Sequence, residues 1–281
     1  FTRKRKHARA VLLNMANKLM GTQLDDDTMI IGTSGRYEFK NKGINVYLEA
    51  LNRLTRDKNL KKDVLAFINV PGWVGEVRED LRERLDSGKD YDTPLECPFI
   101  THWLHNMSHD QVLDMLKYLN MSNSVDTKVK VVFVPCYLDG KDGILNELYY
   151  DLLIGTDLSV YPSYYEPWGY TPLESIAFKV PTITTDLAGF GLWVNSLTGK
   201  NATLQDGVKV IHRTDYNYSE VADTIKDTIS EFSSLTSTEI NKIRKNAANI
   251  AEKALWKHFI QYYYEAYDIA LRNAAKRLSL N

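Results

Sequence analysis

Cysteine is nearly absent from this 281-residue sequence, which has only Cys97 and Cys136. Two thiols cannot make the disulfide framework of a small secreted domain, so a reducing, cytoplasmic location is expected. An excess of either charge is lacking too. Thirty-five Lys and Arg face 36 Asp and Glu, for a formal net charge of −1, without the basic surplus of a nucleic-acid-binding protein. No apolar run reaches the roughly 18–20 residues that span a bilayer, which argues against membrane insertion. The chain opens Phe1-Thr2-Arg3-Lys4-Arg5-Lys6, with neither an initiator Met nor the apolar core of a signal peptide, so an upstream segment is expected. What is present is 44% hydrophobic and 25% charged, enough to build a sizeable buried core. The length admits one or two domains, but no linker divides the chain.

The apolar periodicity alternates between strands and helices. Ala8, Val11, Leu12, Met15, Leu19 and Met20 give the first twenty residues a helical face, preceded by the cations Lys4, Arg5, Lys6 and Arg9. That cluster reads as a solvated helix end or as a contact with an acidic partner surface. Short apolar runs at 29–35, 64–70, 129–134, 158–161, 182–184 and 208–211 predict six buried strands. Helices are expected from Gly43 onward and around 75–88, 109–119, 143–154, 171–179 and 219–233, with a closing pair at 239–255 and 257–277. The stretch 85–108 has no clear period and is a candidate surface insertion or lid. The alternation predicts an α/β fold, a doubly wound, Rossmann-like parallel sheet. Ligands of such sheets sit beyond the carboxyl ends of the strands. That singles out the loops after Ile31, Val134 and Tyr161.

Two of these loops carry chemistry. In Gly35-Arg36-Tyr37-Glu38-Phe39-Lys40-Asn41-Lys42-Gly43, three cations lie between flexible glycines just before a helix start. Free N–H groups and the helix dipole favour anions there, and Arg adds a planar fork for phosphate. A polar surface loop is the plainer alternative. In Tyr161-Pro162-Ser163-Tyr164-Tyr165-Glu166-Pro167-Trp168-Gly169-Tyr170-Thr171-Pro172-Leu173-Glu174, Thr171 fits an N-cap, Pro172 the first helical position and Glu174 a capping box. A well-capped helix would explain that pattern alone. Beyond it, Glu166 sits among aromatics and prolines, and the Gly-Tyr-Thr turn would aim N–H groups at a ligand. Cys97, His102, His105 and His109 have spacing that zinc could use, but they lack the tight ligand pairs of structural zinc sites, so no metal site is assigned.

Both loops resemble the eukaryotic-type glycogen synthases, glycosyltransferase family 3, and so does Thr184-Thr185-Asp186-Leu187-Ala188-Gly189-Phe190-Gly191. Weaker resemblance covers His105-Asn106-Met107, the strand at 129–134 and the close at 256–272. Together these span nearly the whole chain, and what they match is the C-terminal, donor-binding half of a GT-B glycosyltransferase. The resemblance implies a single nucleotide-sugar-binding domain over 1–281. An acceptor-binding domain would precede Phe1, and the final helix at about 257–277 would pack back toward it.

The same resemblance implies roles for individual residues. Arg36 and Lys42 match the cations that hold the donor diphosphate and stabilise its departure, so with Glu166 they are the expected catalytic residues. Glu166 matches the first Glu of the family's E-x7-E motif, beside the transferred glucose. Glu174 matches the second, on the ribose hydroxyls. Trp168, Gly169, Tyr170 and Thr171 match the turn that meets glucose and phosphates. Tyr137 and Tyr149 fall where the family places aromatics around uracil, although core packing is the alternative for each.

The implied reaction moves glucose from UDP-glucose to the 4-hydroxyl of an α-1,4-glucan with retention of configuration. It needs no metal or other cofactor, because Arg36, Lys42 and N–H groups would supply the charge. UDP-glucose and a glycogen acceptor are the expected partners, a homo-oligomer is possible, and this half alone should bind nucleotide without catalysis. Regulated members carry a dense arginine cluster on a late helix. Here Lys242-Ile243-Arg244-Lys245-Asn246-Ala247-Ala248-Asn249-Ile250-Ala251 is a thin substitute, which argues against activation by a sugar phosphate. A stand-alone nucleotide-binding or regulatory module and a related transferase using ADP-glucose remain alternatives.

Overall fold

A computed structural model describes residues 1–279. In chain order its elements begin with α1 (Thr2–Met20), β1 (Met29–Ser34), α2 (Ile44–Leu54) and β2 (Val64–Asn69). There follow β3 (Val74–Val77), α3 (Glu79–Ser87), β4 (His102–Leu104), α4 (Gln111–Tyr118) and β5 (Val129–Val134). Next come α5 (Tyr149–Leu153), β6 (Leu158–Val160), α6 (Tyr170–Ala177), β7 (Thr182–Thr185), α7 (Gly189–Thr198) and β8 (Val208–Ile211). The chain closes with α8 (Tyr218–Ser233), α9 (Ser237–Lys253) and α10 (Trp256–Leu278).

Six strands form one parallel sheet in the order β5-β2-β1-β6-β7-β8. The chain leaves β1 toward one edge and returns on the other side with β6, so β1 and β6 flank the switch point of a doubly wound sheet. The strands are apolar without alternation because both faces are covered. Ile31, Ala66, Ile68, Val131 and Phe133 share one buried cluster with apolar residues of α2, α4 and α8. Ile30, Leu65, Phe67 and Val132 share the other with α1 and Leu81 of α3.

Two expected helices differ, and one further helix was not expected. Residues 75–88 begin as β3, which pairs antiparallel with β4. Gly75 allows that approach, since a Cβ there would lie 3.2 Å from the Trp103 carbonyl oxygen. Of 143–154 only α5 is helical. Gly143 and Asn146 adopt left-handed φ values of 88° and 51°. The Asp142 carboxylate meanwhile accepts from the N–H groups of Ile144, Leu145 and Asn146, a local turn that competes with helix. Helix α7 was not anticipated, its apolar pattern being broken by Gly189 and Gly191. The aperiodic stretch 85–108 is tied down rather than loose. Phe99–Thr101 bond to Phe133 at the sheet edge, and fully buried Arg78 donates to the carbonyls of Cys97 and Ile100.

One carboxylate holds the opposite end of the switch point. The Asp157 N–H donates to the Ile30 carbonyl, and its Oδ2 accepts from the Ile30 N–H at 2.9 Å, which clamps the start of β6 to β1. Arg5 and Arg9 of α1 and Arg244 of α9 converge on the same carboxylate. Burial acts to raise its pKa, but the pull of the three guanidinium groups and the Ile30 N–H outweighs it, and the net direction is down. Breaking such a buried cluster by removing one member costs about 3–5 kcal/mol. Asp157→Asn should therefore lower stability in urea denaturation by about 3 kcal/mol or more at pH 7. A depressed carboxyl stabilises above its unfolded pKa and loses that contribution as pH falls through the folded one. The variant's deficit should accordingly shrink in acid.

Candidate functional site at the switch point

Beyond the carboxyl end of β1 the chain runs through the first loop into α2, whose N-cap Gly43 has φ 71°. A Cβ at Gly43 would lie 2.0 Å from the carbonyl oxygen of Pro162. Only glycine permits this approach, and it docks the first loop on the loop that follows β6. Around the contact, the Tyr164 N–H donates to the Asn41 carbonyl at 2.7 Å. Buried Arg213 donates to the Pro162 carbonyl and lies over the Tyr164 ring.

The docking brings together two expected catalytic residues. Lys42 Nζ donates to Glu166 Oε2, and the two side chains are only 15% and 19% exposed. The Glu166 backbone is held on its other side, its N–H donating to the Leu187 carbonyl and its carbonyl accepting from the Gly189 N–H. A Cβ at Gly189 would lie 2.2 Å from the Pro167 carbonyl oxygen, which explains why small residues follow β7.

At the same end of the sheet opens a cleft of about 560 Å³, within the usual range of small-molecule sites. Its walls come from Ser34–Tyr37 after β1, Asn69 and Pro71 after β2, Cys136–Asp139 after β5, and Tyr149 and Thr171. Arg36 reaches into it with its side chain 76% exposed, its guanidinium paired to Glu38 at 3.0 Å. Tyr149 is fixed by a 2.6 Å bond between its hydroxyl and Ser34 Oγ, which also lies 3.4 Å from the Tyr161 hydroxyl. Burial pushes both phenols up in pKa, so they act as neutral hydrogen-bonding groups. Tyr137 stands on the rim, 77% exposed.

Of the residues singled out in the sequence, Arg36, Tyr137, Tyr149 and Thr171 line the cleft, and Lys42 and Glu166 pair with each other. Lys42, Glu166, Trp168, Gly169, Tyr170 and Glu174 do not line it. The Trp168 ring packs against Phe190, Trp193 and Phe259 at 5.5–6.0 Å, so only its backbone is left for a ligand. Tyr170 is exposed. Glu174 lies beside Tyr150, whose phenol is pushed up first by burial and then by that carboxylate. The expected capping box is absent. Helix α6 begins two residues earlier, with Gly169 as N-cap at φ 109° and no side-chain cap, because a left-handed glycine turns the chain before Thr171 is reached.

Sequence reasoning missed Ser34, Asn69, Cys136 and Arg213. The first three follow from the rule that strand ends line the site, but Arg213 carries no local signal. Cys97, His105 and His109 do not join His102. Among the described residues the one cluster with metal-ligating atoms is His102, Cys136 and Asp142, within 4.8 Å of one another. There His102 already bonds Thr101 and the Asp142 carbonyl, and burial holds the Cys136 thiol up at about 12, poor conditions for a thiolate ligand.

Fold and cleft define a doubly wound α/β protein whose ligand site lies at the switch point, with cations on one loop and a fixed carboxylate on the other. The family model described as glycogen synthase matches residues 81–278, and the chain belongs to that family. It is 27% identical over 306 residues to glycogen [starch] synthase isoform 2 of Saccharomyces cerevisiae, covering 88% of this chain and 43% of that protein. The glycogen [starch] synthase of Caenorhabditis elegans is also 27% identical, over 298 residues covering 88% of this chain and 44% of the relative. The chain thus spans less than half the length of these relatives. The N-terminal domain of Candida albicans trehalose-6-phosphate phosphatase superposes with TM-score 0.51 at 13% identity, over 94% of this chain and 43% of that one, a likeness of fold alone. Among the described residues no helix is long and apolar enough to cross a membrane.

The Gly43 contact has a direct test. Gly43→Ala should cost at least ~1–2 kcal/mol in thermal or urea unfolding from the left-handed backbone alone. Because the Pro162 carbonyl must also move, ligand binding in the cleft should weaken with it.

Proposed function

We propose that the chain is the donor-binding domain of a GT-B glycogen synthase that acts in the cytoplasm. In this reading the enzyme transfers glucose from UDP-glucose to the 4-hydroxyl of an α-1,4-glucan with retention of configuration. The observation that carries it is the partly buried Lys42–Glu166 pair joining the loops after β1 and β6, whose Arg36 and Thr171 line the cleft. Breaking the bond between the sugar and the diphosphate leaves negative charge on UDP, and fixed cations aimed at that charge lower the barrier. Arg36, exposed and paired through Nε with Glu38, has its two terminal nitrogens to fork onto phosphate, and Lys42 supplies a compact charge. Glu166, anchored through its backbone to Leu187 and Gly189, faces the glucose. Tyr149 and Tyr137 flank the base, and the N–H groups at the start of α6 meet the donor beyond Thr171. With two cations placed there, no divalent ion is required.

In the same reading α10 meets the acceptor domain of the full-length enzyme. It carries no buried residue, and Trp256, Tyr263 and Tyr267 lie tilted and edge-on against one another along it as an uncovered aromatic surface.

Calorimetry should detect UDP binding to this chain, with ADP much weaker, since hydrogen bonds to the base would be left unpaired. Arg36→Ala should lose about tenfold or more in UDP affinity. Glu166→Gln frees Lys42 from its partner, so UDP should bind at least as well, while transfer by the full-length enzyme should collapse. Loss of UDP affinity in Glu166→Gln would make that carboxylate structural, and absence of UDP binding altogether would remove the donor reading.

A further inference from the structure

Next to the donor cleft lies a second depression that the proposed donor does not use. It measures about 240 Å³ and is lined by Leu104 together with Tyr37, Trp73, Asn106, His109, Asp110 and Gln111. Tyr37 belongs to both depressions and forms the wall between them.

That wall is rigid. The Tyr37 hydroxyl donates to Asp110 Oδ2 at 2.7 Å and lies 3.0 Å from the Val112 N–H, while Asp110 Oδ1 caps α4 through the N–H groups of Val112 and Leu113. The Asp110 carboxylate is thereby fully engaged and offers the depression little free charge.

Trp73 is the unusual member. A tryptophan that is 71% exposed leaves a large apolar face in water, a cost that a purely structural loop has no reason to carry. Its position is nevertheless fixed. Its carbonyl accepts from the His105 N–H at 3.1 Å, and its ring rests against the His105 imidazole with centroids 5.1 Å apart. The preceding Gly72 is tied by its N–H to the Pro135 carbonyl at 2.9 Å.

The polar groups around the ring are of one kind. Asn106, His109 and Gln111 make no side-chain hydrogen bonds among the described residues, which leaves their donors and acceptors to a ligand. No lysine or arginine lines the depression. That disfavours nucleotides and other phosphorylated ligands, whose recognition needs cations. A held aromatic face ringed by unengaged amides and an imidazole suits a neutral ligand with apolar ring faces and hydroxyl edges, which is a sugar. The volume is below the roughly 300–1,000 Å³ of sites for drug-sized molecules, so it takes a short piece of a saccharide chain rather than a whole ligand.

We propose that Trp73, backed by His105, is the stacking platform of an oligosaccharide subsite, with Asn106, His109 and Gln111 as its hydroxyl partners. Its occupant is the α-glucan acceptor, led past Tyr37 toward the donor cleft. The saccharide chemistry stands on this depression alone, whereas naming the sugar an α-1,4-glucan rests on the donor reading above.

Maltoheptaose titrated into the intact chain by calorimetry, and electrophoretic retardation in glycogen-containing gels, test it. Binding is expected, and Trp73→Ala should weaken it about tenfold or more, as aromatic anchors of binding sites do. Trp73→Phe should retain part of the affinity, and Gln111→Ala should lose a smaller share. UDP affinity and unfolding temperature should not change in any of them. Absence of maltoheptaose binding, or undiminished binding by Trp73→Ala, overturns the subsite and leaves the donor reading intact if UDP still binds. Maltoheptaose binding that depends on Trp73 in a chain that takes no UDP would keep the subsite and remove the donor reading.

Discussion

The switch point between β1 and β6 is the constraint on which the rest of this molecule depends, and Asp157 holds it from below. These two strands pair over only two residues, Ile31 with Leu158 and Gly32 with Ser159, so the ladder alone is a weak joint. Asp157 extends it by exchanging hydrogen bonds with Ile30 through both backbone and side chain. Recruiting Arg5, Arg9 and Arg244 to one carboxylate then ties the first and ninth helices to the same joint. The two halves of the sheet are fixed relative to each other, and with them the loops that leave its opposite end.

At that opposite end the joint becomes chemistry. The β1 loop and the β6 loop belong to different halves of the sheet and meet only because Gly43 accepts the Pro162 carbonyl at a distance no side chain allows. The meeting sets Lys42 against Glu166 in a sparsely exposed pair. Such a pair is costly to desolvate and is poor evidence for stability by itself. Its value lies in placement: each side chain holds the other in position. Under the proposed function an incoming diphosphate would compete with Glu166 for Lys42 and free the carboxylate to face the sugar.

Much of this was legible in the residues. Continuous apolar runs marked all six strands of the parallel sheet because burial on both faces leaves no polar alternation to confuse the reading. The cation-rich loop between glycines and the fixed Glu166 were visible for the same reason, since each breaks a local rule that packing alone would satisfy. Misreadings came where local preferences compete. Asp142 offers the chain a turn in place of a helix start, and a left-handed Gly169 moves the start of α6 away from the Thr171 cap. The β3–β4 pairing joins residues about thirty apart in the chain, and no local period reports a contact of that range.

The sequence by itself determined the alternation of elements, hence the doubly wound sheet and the strand ends where a ligand must sit, because hydrophobic period and turn chemistry are local properties. It also supplied the motif residues: the cations by their type favour an anion, and the sugar came only with the family resemblance. Only the tertiary structure decided which of them act together. It placed Arg36, Tyr137, Tyr149 and Thr171 around one cleft, turned the Trp168 ring away into an aromatic cluster, and set the Trp73 ring tilted against His105 beside Tyr37. Side-chain direction and loop-to-loop distance depend on how distant elements pack, and that information is shared by the whole chain rather than carried by any one segment of it.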